Sequence, residues 1–86
     1  MISDTIIFNC EDELQMKAIA VLIQKASACR SSIWLHSGDR KANAKSLLGV
    51  MSLGIENQSE LEITCEGPDE REALTAISEY LANPDF

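Results

Sequence analysis

The spacing of apolar residues switches several times between a strand period and a helix period, and this alternation restricts the possible folds. Ile6 and Phe8 lie two residues apart among strand formers, which predicts a first strand over Asp4–Asn9. From residue 15 or 16 to about residue 27 the spacing becomes helical. One face of this helix carries the residues expected in the core: Ile19, Leu22, Ile23 and Ala26. A sheet covered by helices satisfies both periods.

The remaining patterns complete the order β-α-β-β-α-β-α, with strands over 32–36, 40–43 and 61–65, a helix between Ser46 and Gly54, and a last helix after Asp69. Asp69 and Glu72 are spaced as a capping box. The order predicts an α+β fold with a four-stranded, mainly antiparallel sheet, three helices on one face and the other face open. The open face should carry the residues that alternate with the buried ones: Trp34, His36, Glu62 and Thr64.

Length and charge limit the class of protein. Eighty-six residues form one small domain, and the net charge of -7 argues against nucleic acid or an anionic membrane as a direct partner. The chain shows no signal segment and no apolar run of spanning length, so a cytoplasmic protein is expected. Cys10, Cys29 and Cys65 lack metal or C-x-x-C spacing and are expected to be buried thiols, with no metal or cofactor.

Ser46 is predicted to be the N-cap of a short helix, because its hydroxyl can accept from a backbone N–H of the first turn. So short a helix cannot bury all of Leu47, Leu48 and Met51, which predicts a small exposed apolar patch. A phosphate on Ser46 would lie at the positive end of the helix beside Lys45. On spacing alone, the alternative is that Ser46 is only a cap.

The run Lys45–Gly54, KSLLGVMSLG, resembles the regulatory-serine helix of the HPr family, the histidine-containing phosphocarriers of the sugar phosphotransferase system. Low-GC Gram-positive members typically have Lys-Ser-Ile-Met-Gly-Val-Met-Ser-Leu-Gly at this helix. Glu66–Leu74 is a second match, and the similarity continues from the first strand to the last helix. The resemblance implies a single HPr-like domain over residues 1–86 with the open-faced β-sandwich of that family.

The phosphocarrier motif of the family, Gly-Leu-His-x-Arg-Pro-Ala, is altered in this chain. The aligned residues 13–19 read ELQMKAI, so Gln15 replaces the histidine and Lys17 replaces the arginine. An amide nitrogen is not nucleophilic, and a lysine lacks the planar fork that grips phosphate. Glu11–Glu13 add negative charge beside the site, although acids before a helix also suit its dipole. No histidine phosphocarrier activity is expected, and His36 should be a solvated strand residue rather than a substitute acceptor.

A glutamine at the histidine position together with a retained serine is similar to the catabolite repression HPr-like type within the family. That resemblance implies phosphorylation of Ser46 by HPr kinase/phosphorylase and binding of the phosphorylated form to a LacI-type transcription factor as corepressor. It also implies roles for the aligned residues: docking by Leu47, Leu48 and Met51, assistance from Lys45, and pairing of Lys17 with the serine phosphate. The missing Arg-Pro-Ala is a departure from that type.

Two other classes of function remain open in the sequence. A divergent HPr paralogue could bind a dedicated enzyme or transporter without phosphorylation. An enzyme is not expected, because paired carboxylates, Cys/His pairs at meaningful spacing and glycine-rich phosphate loops are missing from the sequence. Trp34 and Ile7 on the open sheet face are residues through which a weak homodimer could form.

Overall fold

The sheet order and the helix positions are seen in a computed structural model, which describes residues 1–85 and confirms the predicted α+β fold. The four strands lie in the order β1-β4-β2-β3, and every pairing is antiparallel. The elements are β1 (Ile2–Ile7), a one-turn 3-10 helix (Asp12–Leu14), α1 (Gln15–Ser27), β2 (Ser32–Ser37), β3 (Arg40–Asn43), α2 (Leu47–Ser52), β4 (Glu60–Glu66) and α3 (Glu70–Ala82).

The core lies between the sheet and the helices. Alternate residues of the two central strands are buried because they face the helical layer, in which α3 lies against β4, as the strand period predicts. Burial of apolar area at about 25 cal/mol per Å² is the main source of stability for such a layer. The fully buried positions include Ile33, Leu35, Leu61, Ile63 and Cys65 from the strands, with Leu22, Ala26, Ile77 and Leu81 from the helices.

The opposite face of the sheet is open, as predicted. Trp34 is paired with Thr64, and His36 is paired with Glu62, so the four side chains share that face. The ammonium group of Lys41 lies 4.5 Å from the centre of the Trp34 ring, which leaves the indole half-buried. Thr64 is more covered than expected, because its hydroxyl lies 2.9 Å from that of Ser3 on the neighbouring strand.

The predicted bounds of the first strand, Asp4–Asn9, are wrong by two residues at each end. The paired segment is Ile2–Ile7, and Ile2 pairs with Cys65. β1 is an edge strand with one face in water, so its polar residues do not show the alternation that identifies a buried strand. Phe8 follows the strand and is buried in the core on the same side as Ile6.

The predicted capping box at α3 is also wrong. Asp69 precedes the helix, but its carboxylate accepts hydrogen bonds from the backbone N–H groups of Arg30 at 3.0 Å and Ser31 at 2.8 Å. The Ser31 hydroxyl donates a further short hydrogen bond to Asp69. Glu70, not Glu72, reaches back to the preceding loop, where it accepts from the backbone N–H of Gly67 at 3.3 Å. Asp69 therefore ties the start of α3 to the α1–β2 connection.

Candidate functional site

Ser46 begins α2 in the manner predicted from the sequence. Its backbone is extended, with φ -108° and ψ 115°, and its hydroxyl accepts from the backbone N–H of Gly49 at 3.2 Å. A Cβ at position 49 would lie 3.2 Å from the Ser46 hydroxyl oxygen, so glycine permits this close approach. Gly54 ends the segment with φ +62°, the left-handed conformation that favours glycine. A half-buried hydroxyl is thus fixed at the start of a helix.

The exposed face of α2 is apolar. Leu47 is 46% exposed, Leu48 is 78% exposed and Met51 is 44% exposed, whereas Val50 and Leu53 are buried. The predicted exposed patch is therefore present, and we call Leu47, Leu48 and Met51 the α2 apolar face. Six residues form too short a helix to turn all of these side chains toward the core.

Gln15, which the resemblance aligns with the histidine of phosphocarriers, is the first residue of α1. Its side-chain amide donates to a carboxylate oxygen of Asp12 at 3.1 Å. Leu14 and Met16 on either side of it are 40% and 58% exposed. The sequence did not lead us to predict that these two apolar residues are exposed. The available signal was that both lie outside the predicted buried face of the helix. Because α1 and α2 pack against each other, the altered site and Ser46 occupy neighbouring helices.

Lys17 and Lys45, to which the resemblance assigns roles in partner binding, lie in different environments. Lys17 lies exposed in the first turn of α1. Lys45 is half-buried, and its ammonium group donates to the backbone carbonyl of Cys29 at 2.9 Å. A positive charge is favourable there because Cys29 lies just beyond the negative end of α1. The Lys45 ammonium is therefore engaged at the end of α1, whereas the Ser46 hydroxyl accepts from Gly49.

Glu11, Asp12 and Glu13, which we call the acidic turn, are all exposed just before α1. Together with Glu56 and Asn57 they line a surface concavity. Among residues 1–85, no three His, Cys, Asp or Glu side chains are grouped so that they could hold a metal ion. The acidic turn is a charged surface beside Gln15.

The three thiols are free, and two of them are buried as predicted. Cys10 and Cys65 are buried, and Cys29 is only half-buried, which corrects the expectation for that residue. Burial raises the pKa of the Cys65 thiol to about 11, and burial also raises the pKa of Cys10 and Cys29. Thiolate chemistry is thereby disfavoured at all three positions. Within the described part of the chain, no helix is long and apolar enough to cross a membrane.

Residues 2–83 match the family model for the PTS HPr component phosphorylation site. The chain is a member of the HPr family. The HPr-like protein Crh of Bacillus subtilis is 31% identical over 81 residues, which cover 94% of this chain and 95% of that protein. Similarity to Crh and to HPr confirms the resemblance noted from the regulatory-serine helix.

Solved structures of the family share the architecture. A phosphocarrier protein HPr from Bacillus anthracis superimposes with a TM-score of 0.88 at 32% identity, covering 93% of this chain and 95% of that one. Crystalline Crh of Bacillus subtilis superimposes with a TM-score of 0.76 at 27% identity, covering 94% and 88% of the two chains. That Crh is described as a dimer with a swapped domain. The family comprises phosphocarrier and regulatory proteins rather than enzymes.

Proposed function

We propose that this chain is a signalling member of the HPr family whose partner binding is controlled by phosphorylation of Ser46. The observation that carries the proposal is Gln15, an amide at the start of α1 where a phosphocarrier has its histidine. An amide cannot accept a transferable phosphoryl group, whereas the hydroxyl at the start of α2 is retained. Similarity to Crh supports a regulatory rather than a carrier role.

The proposed modifying enzyme is HPr kinase/phosphorylase, which would act on the Ser46 hydroxyl. The N–H groups of the first turn of α2 and the helix dipole favour the added negative charge. Phosphorylation would exchange the single hydrogen bond from Gly49 for contacts to three phosphate oxygens. The switch is thus a change of about -2 in charge beside the α2 apolar face.

The proposed partner of the phosphorylated form is a LacI-type transcription factor, with this chain as corepressor in carbon catabolite regulation. Leu47, Leu48 and Met51 would supply the apolar contact, and Lys17 would pair with the phosphate in the complex. For Lys45 to assist, its ammonium group would first have to leave the carbonyl of Cys29. The proposal places the protein in the cytoplasm and requires neither nucleic acid nor membrane as a direct ligand.

The first test is intact mass after incubation with HPr kinase/phosphorylase and ATP. We expect the wild-type chain to gain one phosphate and Ser46→Ala to gain none. A second arm measures binding of both forms to the LacI-type factor by calorimetry, where only the phosphorylated chain should bind. Absence of a mass gain, or an equal gain in Ser46→Ala, would reject the switch.

A second candidate is a phosphorylation-independent binding module for a dedicated enzyme or transporter. It is favoured by the loss of the Arg-Pro-Ala sequence at 17–19 and by the engagement of Lys45 at the end of α1. In that case Ser46 is only a cap. Binding to the partner would then be the same for the wild type and for Ser46→Asp, which separates the two candidates.

A weak homodimer through the open sheet face is a further proposal, which differs from the swapped-domain dimer described for Crh. Ile7 is an exposed apolar residue at the end of β1, and Trp34 lies on the same open sheet face. Sedimentation at increasing protein concentration should show a rise in mean mass. Ile7→Lys should suppress that rise, while Leu48→Lys, on the helical side, should leave it unchanged.

A further inference from the structure

Exposed apolar side chains are concentrated near the starts of the two neighbouring helices α1 and α2. No element within residues 1–85 covers them, although a single domain gains stability by burying such side chains. A group of this kind marks a surface that another protein covers. We define it as the docking patch, and its residues are Leu14, Met16, Leu47, Leu48 and Met51.

The acidic turn borders the docking patch on the α1 side. Glu13 directly precedes Leu14, and Glu56 faces the concavity that the acidic turn also lines. All four carboxylates, those of Glu11, Asp12, Glu13 and Glu56, belong to exposed residues. The patch is therefore an apolar surface with a negatively charged edge.

Hydrogen bonds hold this edge in place. The backbone N–H of Cys10 donates to the Asn57 side chain at 2.9 Å, and the Gln58 amide donates to the Asn9 side chain at 2.7 Å. The backbone N–H of Gln58 also donates to the carbonyl of Phe8 at 2.7 Å. Carboxylates on a segment fixed at its base lose less conformational entropy when they pair with a partner than carboxylates on a free loop.

We infer that the docking patch receives a protein whose contact face is apolar at its centre and basic where it meets the acidic turn. A neutral or acidic face would leave carboxylates desolvated without partners or opposed by like charge. A face with Lys and Arg forms charge-assisted hydrogen bonds and is attracted at a distance. The inference deepens the proposed function and rests on it, because both assign partner contact to the α2 apolar face.

Two designed amphipathic helical peptides test the charge of the partner directly. Both carry the same leucine stripe, which is flanked by lysines in one peptide and by glutamates in the other. Binding is followed through the backbone amide signals of the isotope-labelled chain. We expect the lysine peptide to shift the signals of the docking patch and the acidic turn, and the glutamate peptide to shift neither. Affinity for the lysine peptide should fall as salt is raised.

Matched variants separate local charge from net charge. One variant combines Glu11→Gln, Glu13→Gln and Glu56→Gln, and keeps Asp12 because it accepts from Gln15. The control combines Glu60→Gln, Glu62→Gln and Glu66→Gln on β4, so both variants have the same net charge. The first should bind the lysine peptide about tenfold more weakly, and the control should bind like the wild type. Equal losses in both variants, no binding, equal binding of both peptides or signal shifts elsewhere would overturn the inference.

A phosphoserine placed at position 46 by chemical synthesis separates this inference from the proposed function. If the acidic-turn variant alone weakens peptide binding and phosphorylation has no effect, the partner class stands and the switch fails. If phosphorylation strengthens binding while the acidic turn has no effect, the switch stands and the partner class fails. The experiment needs neither the kinase nor the transcription factor.

Discussion

At the scale of single residues, the proposed absence of carrier function depends on Gln15, an amide at the start of α1. The amide of Gln15 donates to Asp12 in the acidic turn, and the carboxylates of that turn would repel an incoming phosphoryl group. Lys17 provides charge without the bidentate geometry of arginine. On this proposal, loss of the carrier function would involve more than one side chain.

A histidine at position 15 alone should support phosphate transfer only poorly. We expect Gln15→His to accept phosphate from phosphorylated enzyme I about tenfold more slowly than a variant that also carries Lys17→Arg and Glu13→Gly, because charge-assisted contacts to phosphate would still be missing. Transfer is measured with labelled phosphate. Equal rates for the single and the combined variant would contradict this explanation.

A second residue, Ser78, should lower the stability of the fold. The hydroxyl of Ser78 in α3 is buried and has no hydrogen-bond partner among the described residues. Ser78→Ala should raise the free energy of unfolding by about 1 kcal/mol, because a desolvated polar group is removed and alanine favours the helix. Urea unfolding measures the change. Ser31→Ala is the matched control and should lower stability, since the Ser31 hydroxyl donates to Asp69.

At the scale of elements, local patterns predicted most of the fold, and contacts between distant residues explain the failures. α1, β3 and the Ser46 cap follow from period, turn and capping residues within a few positions. Asp69 departs from its local pattern because it satisfies donors about 38 residues away, one of them in the fully buried Ser31. The engagement of Lys45 with Cys29 is equally non-local, so spacing could not indicate it.

The contact between Asp69 and the α1–β2 connection should make stability depend on acidity. Hydrogen bonds from Ser31 and Arg30 lower the pKa of Asp69 from its ordinary value of 3.8 to about 2. The folded state thus binds a proton at Asp69 less readily than the unfolded state does. The stabilisation is therefore present above pH 3.8 and is lost as the pH falls toward 2. The stability difference between wild type and Asp69→Asn should shrink over that window.

Thermal unfolding measured across the same pH range checks this expectation. Glu72→Gln is a suitable control, because Glu72 is exposed and does not form the predicted capping box. Its effect should be small at every pH. A constant difference between wild type and Asp69→Asn down to pH 2 would show that the ionised carboxylate is not the stabilising form.

At the scale of the whole molecule, the two sides of the sheet have different properties. The helical side combines the core with the docking patch, the acidic turn and Ser46. The open side carries polar side chains around a half-buried indole. The same architecture is seen in HPr and in Crh.

Access to the three thiols should report on opening of the whole domain. Cys29 is half-buried and should react slowly with a thiol reagent in the native state, because its raised pKa leaves little thiolate, whereas Cys10 and Cys65 should react only when the fold opens. Mass spectrometry of peptides after timed labelling distinguishes the sites. Dilute urea should accelerate the labelling of Cys65 strongly and that of Cys29 weakly. Native labelling of Cys65 as fast as that of Cys29 would mean that the sheet is not closed by the helices.

The sole tryptophan of the chain lies under the Lys41 ammonium group, on the side of the sheet away from the helices. Its emission is therefore a built-in optical probe of that side alone. A ligand that attaches near Ser46 should leave the fluorescence spectrum almost unchanged, whereas self-association through the strands should displace the lysine and shift the emission. One unlabelled titration can thus tell which surface of the molecule is in use.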